Sequence, residues 1–268
     1  MNIPVCIGMP RSASRMAWQI VKHLAPPLPP PDYYPDLVSD WTGGGVGQWP
    51  LRGHAYLPGP PAVYTFRHPI DAFLSLRSRF RTDVGKMVPV AEGFITIAGE
   101  EVPKVDPKNK VLYTQTQADK DAMVAIGSQW TVWKRLVEDS NSNRSVLFLK
   151  YEDYIYNRLG EIKDIAKFMD VPLSGDLAKE ILDYTAIEKN MARSRDPALY
   201  ENDEVTFSHG FMCSSGMQKG HINRSTMGRV GAHLESDPEF VLGVLNEISP
   251  AHQALKEMTE EMGYEVVI

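Results

Sequence analysis

The chain has 268 residues, 43% of them hydrophobic, and 28 Lys and Arg against 34 Asp and Glu give a net charge of −6. That length sustains one sizeable core, and the acidic balance excludes a general nucleic-acid binder, so an anionic ligand must be held by local Arg and Lys. No stretch approaches the ~20 apolar residues that span a bilayer, the first residues lack the pattern of a secretory leader, and two distant cysteines, Cys6 and Cys213, exclude a disulfide framework or a zinc site.

These exclusions predict a cytoplasmic protein with no membrane or nucleic-acid partner. In chain order, an apolar run at 3–7 reads as a buried strand, and the turn Gly8-Met9-Pro10-Arg11-Ser12-Ala13 leads into an amphipathic helix over 14–24. A stiff polyproline-like connector follows at 26–35. Apolar strands at 62–66 and 145–150 precede helices at 69–79 and 158–169, with another helix at 119–139 between them. Further helices read at 174–184, 238–248 and 251–262, and Ser249-Pro250 supplies an N-cap and a first-turn proline for the last. Residues 81–117 mix turn signals with strand-like pieces and read as an insertion near the site. Residues 193–231, rich in Ser, Gly, Asn, Met and His, read as irregular. Short apolar strands alternating with helices predict a single α/β domain over 1–268. Its layers are α/β/α around a central parallel sheet, with the strand-to-helix turns along one edge.

The turn after the first strand carries the chemistry. A strand feeding a small-residue turn and then a helix aims backbone N–H groups and the helix dipole at one point, an anion cradle. The nucleotide-triphosphatase template places Ala13 at its second glycine, Ser14 at its lysine and Arg15 at its magnesium-binding hydroxyl. The cation sits inside the loop instead, at Arg11. Transfer chemistry without a metal is the reading this supports.

Three other segments can join that site. Arg67 ends the second strand, where its planar fork suits a phosphate, and Ser75 follows two helical turns after Pro69. A structural pairing of Arg67 with Asp71 is an equally good reading of that segment alone. Tyr151, after the strand at 145–150, can pack against a base, while Glu152 and Asp153 read as structural. In Gly220–Gly231, Arg224 and nearby amides can close over a phosphate, although a plain surface loop looks similar.

Taken in order, these segments resemble the sulfotransferase family that uses 3′-phosphoadenosine 5′-phosphosulfate (PAPS). Pro10-Arg11-Ser12-Ala13-Ser14-Arg15 is similar to that family's phosphosulfate loop, and Tyr64, Arg67, Pro69, Asp71 and Ser75 to its 3′-phosphate motif. The stretch 146–153 resembles its strand-Tyr-Glu-Asp segment, residues 183–191 faintly resemble its Thr-Ser-Phe-x-x-Met region, and 224–228 resemble its closing loop. The resemblance implies a P-loop-like turn that binds PAPS and releases 3′-phosphoadenosine 5′-phosphate (PAP), with no metal. It implies cofactor contacts at Arg11, Ser12, Ala13, Ser14, Arg15, Met16, Arg67, Ser75, Tyr151, Arg224, Ser225 and Thr226. It also implies Arg11 as the cation at the leaving group and His54, in Leu51-Arg52-Gly53-His54, as the base for an alcohol acceptor.

The chain departs from the family at several of these positions. Ala13 stands where a glycine is usual, Arg15 and Met16 where Thr and Trp are common, and Ser225-Thr226 where Lys-Gly is common. Trp18 would face differently on its helix from the missing tryptophan. A P-loop kinase would need Lys and Ser/Thr at Ser14 and Arg15, together with Mg²⁺. A non-catalytic nucleotide-binding protein is the other alternative, suggested by Ala13 and the altered closing loop. The acceptor, a small molecule or a carbohydrate reached through a hydroxyl or an amine, is not specified by the sequence, nor is the oligomeric state.

Overall fold

A computed structural model describes residues 4–9, 11–25, 52–53, 56, 58–97, 100–193, 206–207, 210–211 and 230–266, with the backbone alone for 52–53, 89–109 and 206–211. They fall into two compact units, Met1–Arg67 with Gln129–Ala232 and His68–Ser128 with His233–Ile268.

The first unit is built on a four-stranded sheet of β1 (Val5–Gly8), β2 (Arg52–Gly53), β3 (Ala62–Phe66) and β6 (Val146–Lys150), in the order β2-β1-β3-β6. Each pairing is parallel, with registers that include Ile7↔Gly53, Ile7↔Tyr64 and Tyr64↔Phe148. Because successive side chains point to opposite faces, each apolar strand feeds two cores. Cys6, Val63 and Leu149 pack on one face against Ala17, Ile20 and Val21 of α1 (Ser14–Leu24) and Ile162 and Ile165 of α5 (Arg158–Phe168). Val5, Ile7, Ala62 and Tyr64 pack on the other against Val132 and Leu136 of α3 (Gln115–Asn141). Three layers result, as the alternation of strands and helices predicts.

Caps fix several helix starts. Asn157 accepts from Gly160 N at 3.0 Å to open α5, and Ser174 accepts from Leu177 N at 3.1 Å to open α6 (Gly175–Tyr184). Between β6 and α5 lies a single helical turn, α4 (Tyr151–Tyr154), and after α6 comes α7 (Ile187–Arg193), within a region the sequence reading leaves without a helix. Asn190 of α7 exchanges side-chain amide bonds of 3.0 Å with buried Gln19 of α1.

The second unit contains α2 (Pro69–Arg81), a hairpin of β4 (Met87–Ile97) and β5 (Glu100–Leu112), α8 (Pro238–Leu245) and α9 (Pro250–Glu261). The hairpin replaces the irregular insertion read at 81–117. Three prolines (89, 103 and 107) obscure its pattern, yet each strand of a two-stranded sheet has an open edge where a missing N–H is tolerated. Register shifts at Pro89/Val90 and Ala91/Phe94 break the alternation further. Phe73 stacks on Phe240 with ring centroids 5.0 Å apart, beside an Arg77–Asp237 ion pair. Ser249 caps α9 and Pro250 opens it, as read from the sequence.

Candidate active site

The loop between β1 and α1 is held by close contact with the end of β3. Met9 N donates to Thr65 O at 2.9 Å, and the Ser12 hydroxyl lies 2.6 Å from Met9 O and 2.8 Å from Thr65 Oγ1. Gly8 makes this approach possible: a Cβ there would overlap Thr65 Oγ1 and Ser14 Cβ. The Ser12 side chain is only 2% exposed, so its hydroxyl ties the loop to the sheet and leaves the backbone as its ligand-facing part.

Two non-glycine residues in this loop take left-handed backbone, Arg11 at φ 72° and Ala13 at φ 63°. Each costs on the order of 1 kcal/mol. Ala13 is the N-cap of α1 and contributes no side-chain cap. Alternation into left-handed backbone turns successive N–H groups towards one side, and the first N–H groups of a helix have no carbonyl within the helix to receive them. Ser14, 6% exposed, opens the helix. Trp18 faces the core instead of this turn, with Lys22 Nζ 5.1 Å from its ring centroid.

Arg67, at the end of β3, is 5% exposed. Its Nη1 donates to Arg11 O at 3.0 Å, and its guanidinium carbon lies 4.6 Å from the centroid of Tyr151. Arg67 thus links the loop after β1 to the residue after β6 across the C-terminal ends of adjacent strands. Two of its motif partners are anchors. Tyr64 is fully buried, donates to Gln129 O at 3.3 Å, and has its phenol pushed far up by burial. Asp71, also fully buried, accepts from His233 N at 3.0 Å within the second unit. Ser75 lies buried on α2 of that unit.

A small open cleft lies at the loop. Ser12, Ala13, Thr65, Lys150, Tyr151, Tyr154, Arg158 and Glu161 help to line it. Arg158 is absent from the residues singled out by sequence. It forms an ion pair with Glu161, and burial lowers its guanidinium to about 10, with Tyr151 acting in the opposite direction. The sequence signal was a cation on the first turn of a helix, directly after the Asn157 cap, where the dipole disfavours positive charge.

The structure therefore brings Arg11, Ser12, Ala13, Ser14, Arg67 and Tyr151 to one end of the first unit's sheet. Arg15 and Met16 continue α1 from the loop. His54, Arg224, Ser225 and Thr226 lie outside the described residues, as do His209 and His221. His68, next to Arg67 in sequence, is 8% exposed, with Nε2 3.0 Å from Glu265 O and its ring against Tyr264. Among the described residues no group of three His, Cys, Asp or Glu side chains gathers to hold a metal, and no helix is long and apolar enough to cross a membrane.

A parallel sheet with a strand-to-helix turn at the C-terminal ends of its strands, and an arginine bracing that turn, is the geometry from which α/β proteins build phosphate sites. The chain belongs to the sulfotransferase domain family, whose pattern matches residues 62–224, more than half of its length. It is thus an enzyme of sulfuryl transfer. No curated protein matches the chain in sequence. Among solved structures it is similar to mouse sulfotransferase SULT7A1 complexed with PAP, at 14% identity, 97% coverage of this chain, 89% of that one and a TM-score of 0.45.

Proposed function

We propose that the chain, acting as one catalytic domain over 1–268, moves a sulfuryl group from PAPS to a hydroxyl or amine of a small-molecule or carbohydrate acceptor in the cytoplasm and releases PAP. The observation that carries this reading is Arg67, which donates to Arg11 O while stacking on Tyr151, so that a phosphate-class cation braces the loop and a base-packing aromatic together.

PAPS supplies an activated sulfuryl group on a phosphate leaving group. By analogy with phosphoryl transfer, positioning and electrostatics carry most of the catalysis. The amides of residues 13 and 14 and the dipole of α1 hold one phosphate, with Ser12, Ala13, Ser14, Arg15 and Met16 shaping the turn, the Ser12 amide by donating to Met9 O. Arg11 remains protonated throughout and offsets negative charge at the leaving group without giving up a proton. Arg67 and Arg224, with Ser225 and Thr226, hold the second phosphate. Tyr151 packs against the base. His54, neutral near pH 7, accepts the acceptor's proton.

Calorimetry with PAP and with ATP–Mg²⁺, followed by radiolabelled sulfate transfer to a panel of phenols, alcohols, amines and sugars, tests this reading. Binding of PAP in preference to ATP–Mg²⁺, with transfer to one acceptor class, is expected. Preference for ATP–Mg²⁺ would overturn it in favour of a kinase. His54→Ala is expected to abolish transfer and leave PAP affinity within about twofold, since truncation removes a proton acceptor and no phosphate contact.

A further inference from the structure

Arg158 is expensive where it stands. It occupies the first position of α5, where the helix dipole opposes a cation. Its side chain is 17% exposed, and Nε and Nη2 are buried with no hydrogen-bond partner among the described residues. Among the described residues only Glu161, one turn on, forms an ion pair with it. Fold stability does not account for this choice, because a neutral residue at the same position would avoid the dipole, the desolvation and the unmatched donors.

The placement suggests a different role. Side chains on a helix tilt towards its N-terminus, and Arg158, at the first position of α5, lines the cleft together with Ser12, Ala13 and Tyr151. Ala13, the N-cap of α1, lines the same cleft. An arginine keeps its charge even when buried, and a planar fork with unmatched donors suits an oxyanion.

We propose that Arg158 is a ligand-binding cation of the cleft, beside Lys150 in its lining, binding an oxyanion of the phosphorylated nucleotide, with Glu161 as its partner when no ligand is bound. This rests on the reading of the cleft as a PAPS and PAP site and adds to it a residue that the motifs do not supply. Glu161 then competes with the ligand for the same guanidinium.

Calorimetric titration of PAP into the full-length chain and its R158Q, R158K and E161Q variants, with a melting temperature for each, tests the inference. R158Q is expected to weaken PAP binding at least tenfold, and R158K by less. E161Q is expected to tighten it severalfold while lowering the melting temperature, because the competing carboxylate is gone. Unchanged affinity in R158Q, or in R158K where R158Q does not fold, overturns the proposal. Parallel weakening in R158Q and E161Q also overturns it, since that marks a purely structural ion pair. Absence of PAP binding in the unaltered chain overturns the functional reading itself, and this inference with it.

Discussion

The guanidinium of Arg67 donates to the backbone carbonyl of Arg11 at 3.0 Å and lies over the ring of Tyr151 at 4.6 Å. One side chain thereby connects residues from three parts of the sequence at the ends of three neighbouring strands. Its planar shape matters as much as its charge, because a lysine can reach a carbonyl or a ring but cannot present a flat fork to both.

Arg67→Ala is therefore expected to weaken PAP binding about 10- to 100-fold, the range for loss of a charge-assisted contact. Arg67→Lys is expected to recover only part of that loss. Titration calorimetry on both variants checks this, and unchanged affinity in Arg67→Ala removes Arg67 from the phosphate site.

Ala13 carries a Cβ in left-handed backbone. Ala13→Gly relieves roughly 1 kcal/mol of strain and gives back part of it through a more flexible unfolded chain. The expected net effect is a gain of at most about 1 kcal/mol, with PAP affinity equal or higher. Chemical denaturation and calorimetry together decide it; a clear loss of stability would mean that the methyl group makes a packing contribution larger than its strain.

Gly8 has no room for a side chain between Thr65 and Ser14. Gly8→Ala is expected to cost about 1–3 kcal/mol, the usual price of overpacking, and to separate the loop from β3. A thermal melt reads the stability loss, and reduced PAP affinity reads the displaced loop.

His252 gives a pH dependence of known sign. Its ring is packed against Phe240, Nδ1 lies 2.8 Å from Ser249 Oγ, and Nε2 is buried. Burial first, and Arg77 second, hold its pKa below the ordinary value of 6.5. The unfolded chain then takes up this proton before the folded one does. Stability from this group is complete above pH 6.5 and declines as the pH falls through the window below it. His252→Gln is expected to flatten the melting temperature between about pH 6.5 and 5 relative to the unaltered chain. An identical slope in both proteins would assign the acid sensitivity to other groups.

The sheet was legible because β1, β3 and β6 are short apolar runs, each followed by a helix signal. Their two-faced burial is what such runs require. The anion turn was legible as a strand, small residues and an amphipathic helix, and Ser249-Pro250 marked the start of α9. The hairpin was obscured because its prolines and register shifts break the period-2 pattern by which strands are recognised. The inward role of Ser12 was invisible for another reason: it depends on Thr65, a residue brought alongside only by the β1–β3 pairing. Arg158 was hidden because a lone arginine at a helix start reads as a solvated charge until its burial is known.

The interleaving of the two units has a bearing on biosynthesis. β3 gains its neighbour β6 only after the whole excursion through α2, the hairpin and the first half of α3 has been translated. Until then the nascent chain carries Ala62, Val63 and Tyr64 on a strand with one unpaired side, the kind of edge that recruits other chains. Fragments ending before Val146 should accordingly associate with one another, and the ligand cleft can be completed only once Tyr151 and Arg158 have left the ribosome.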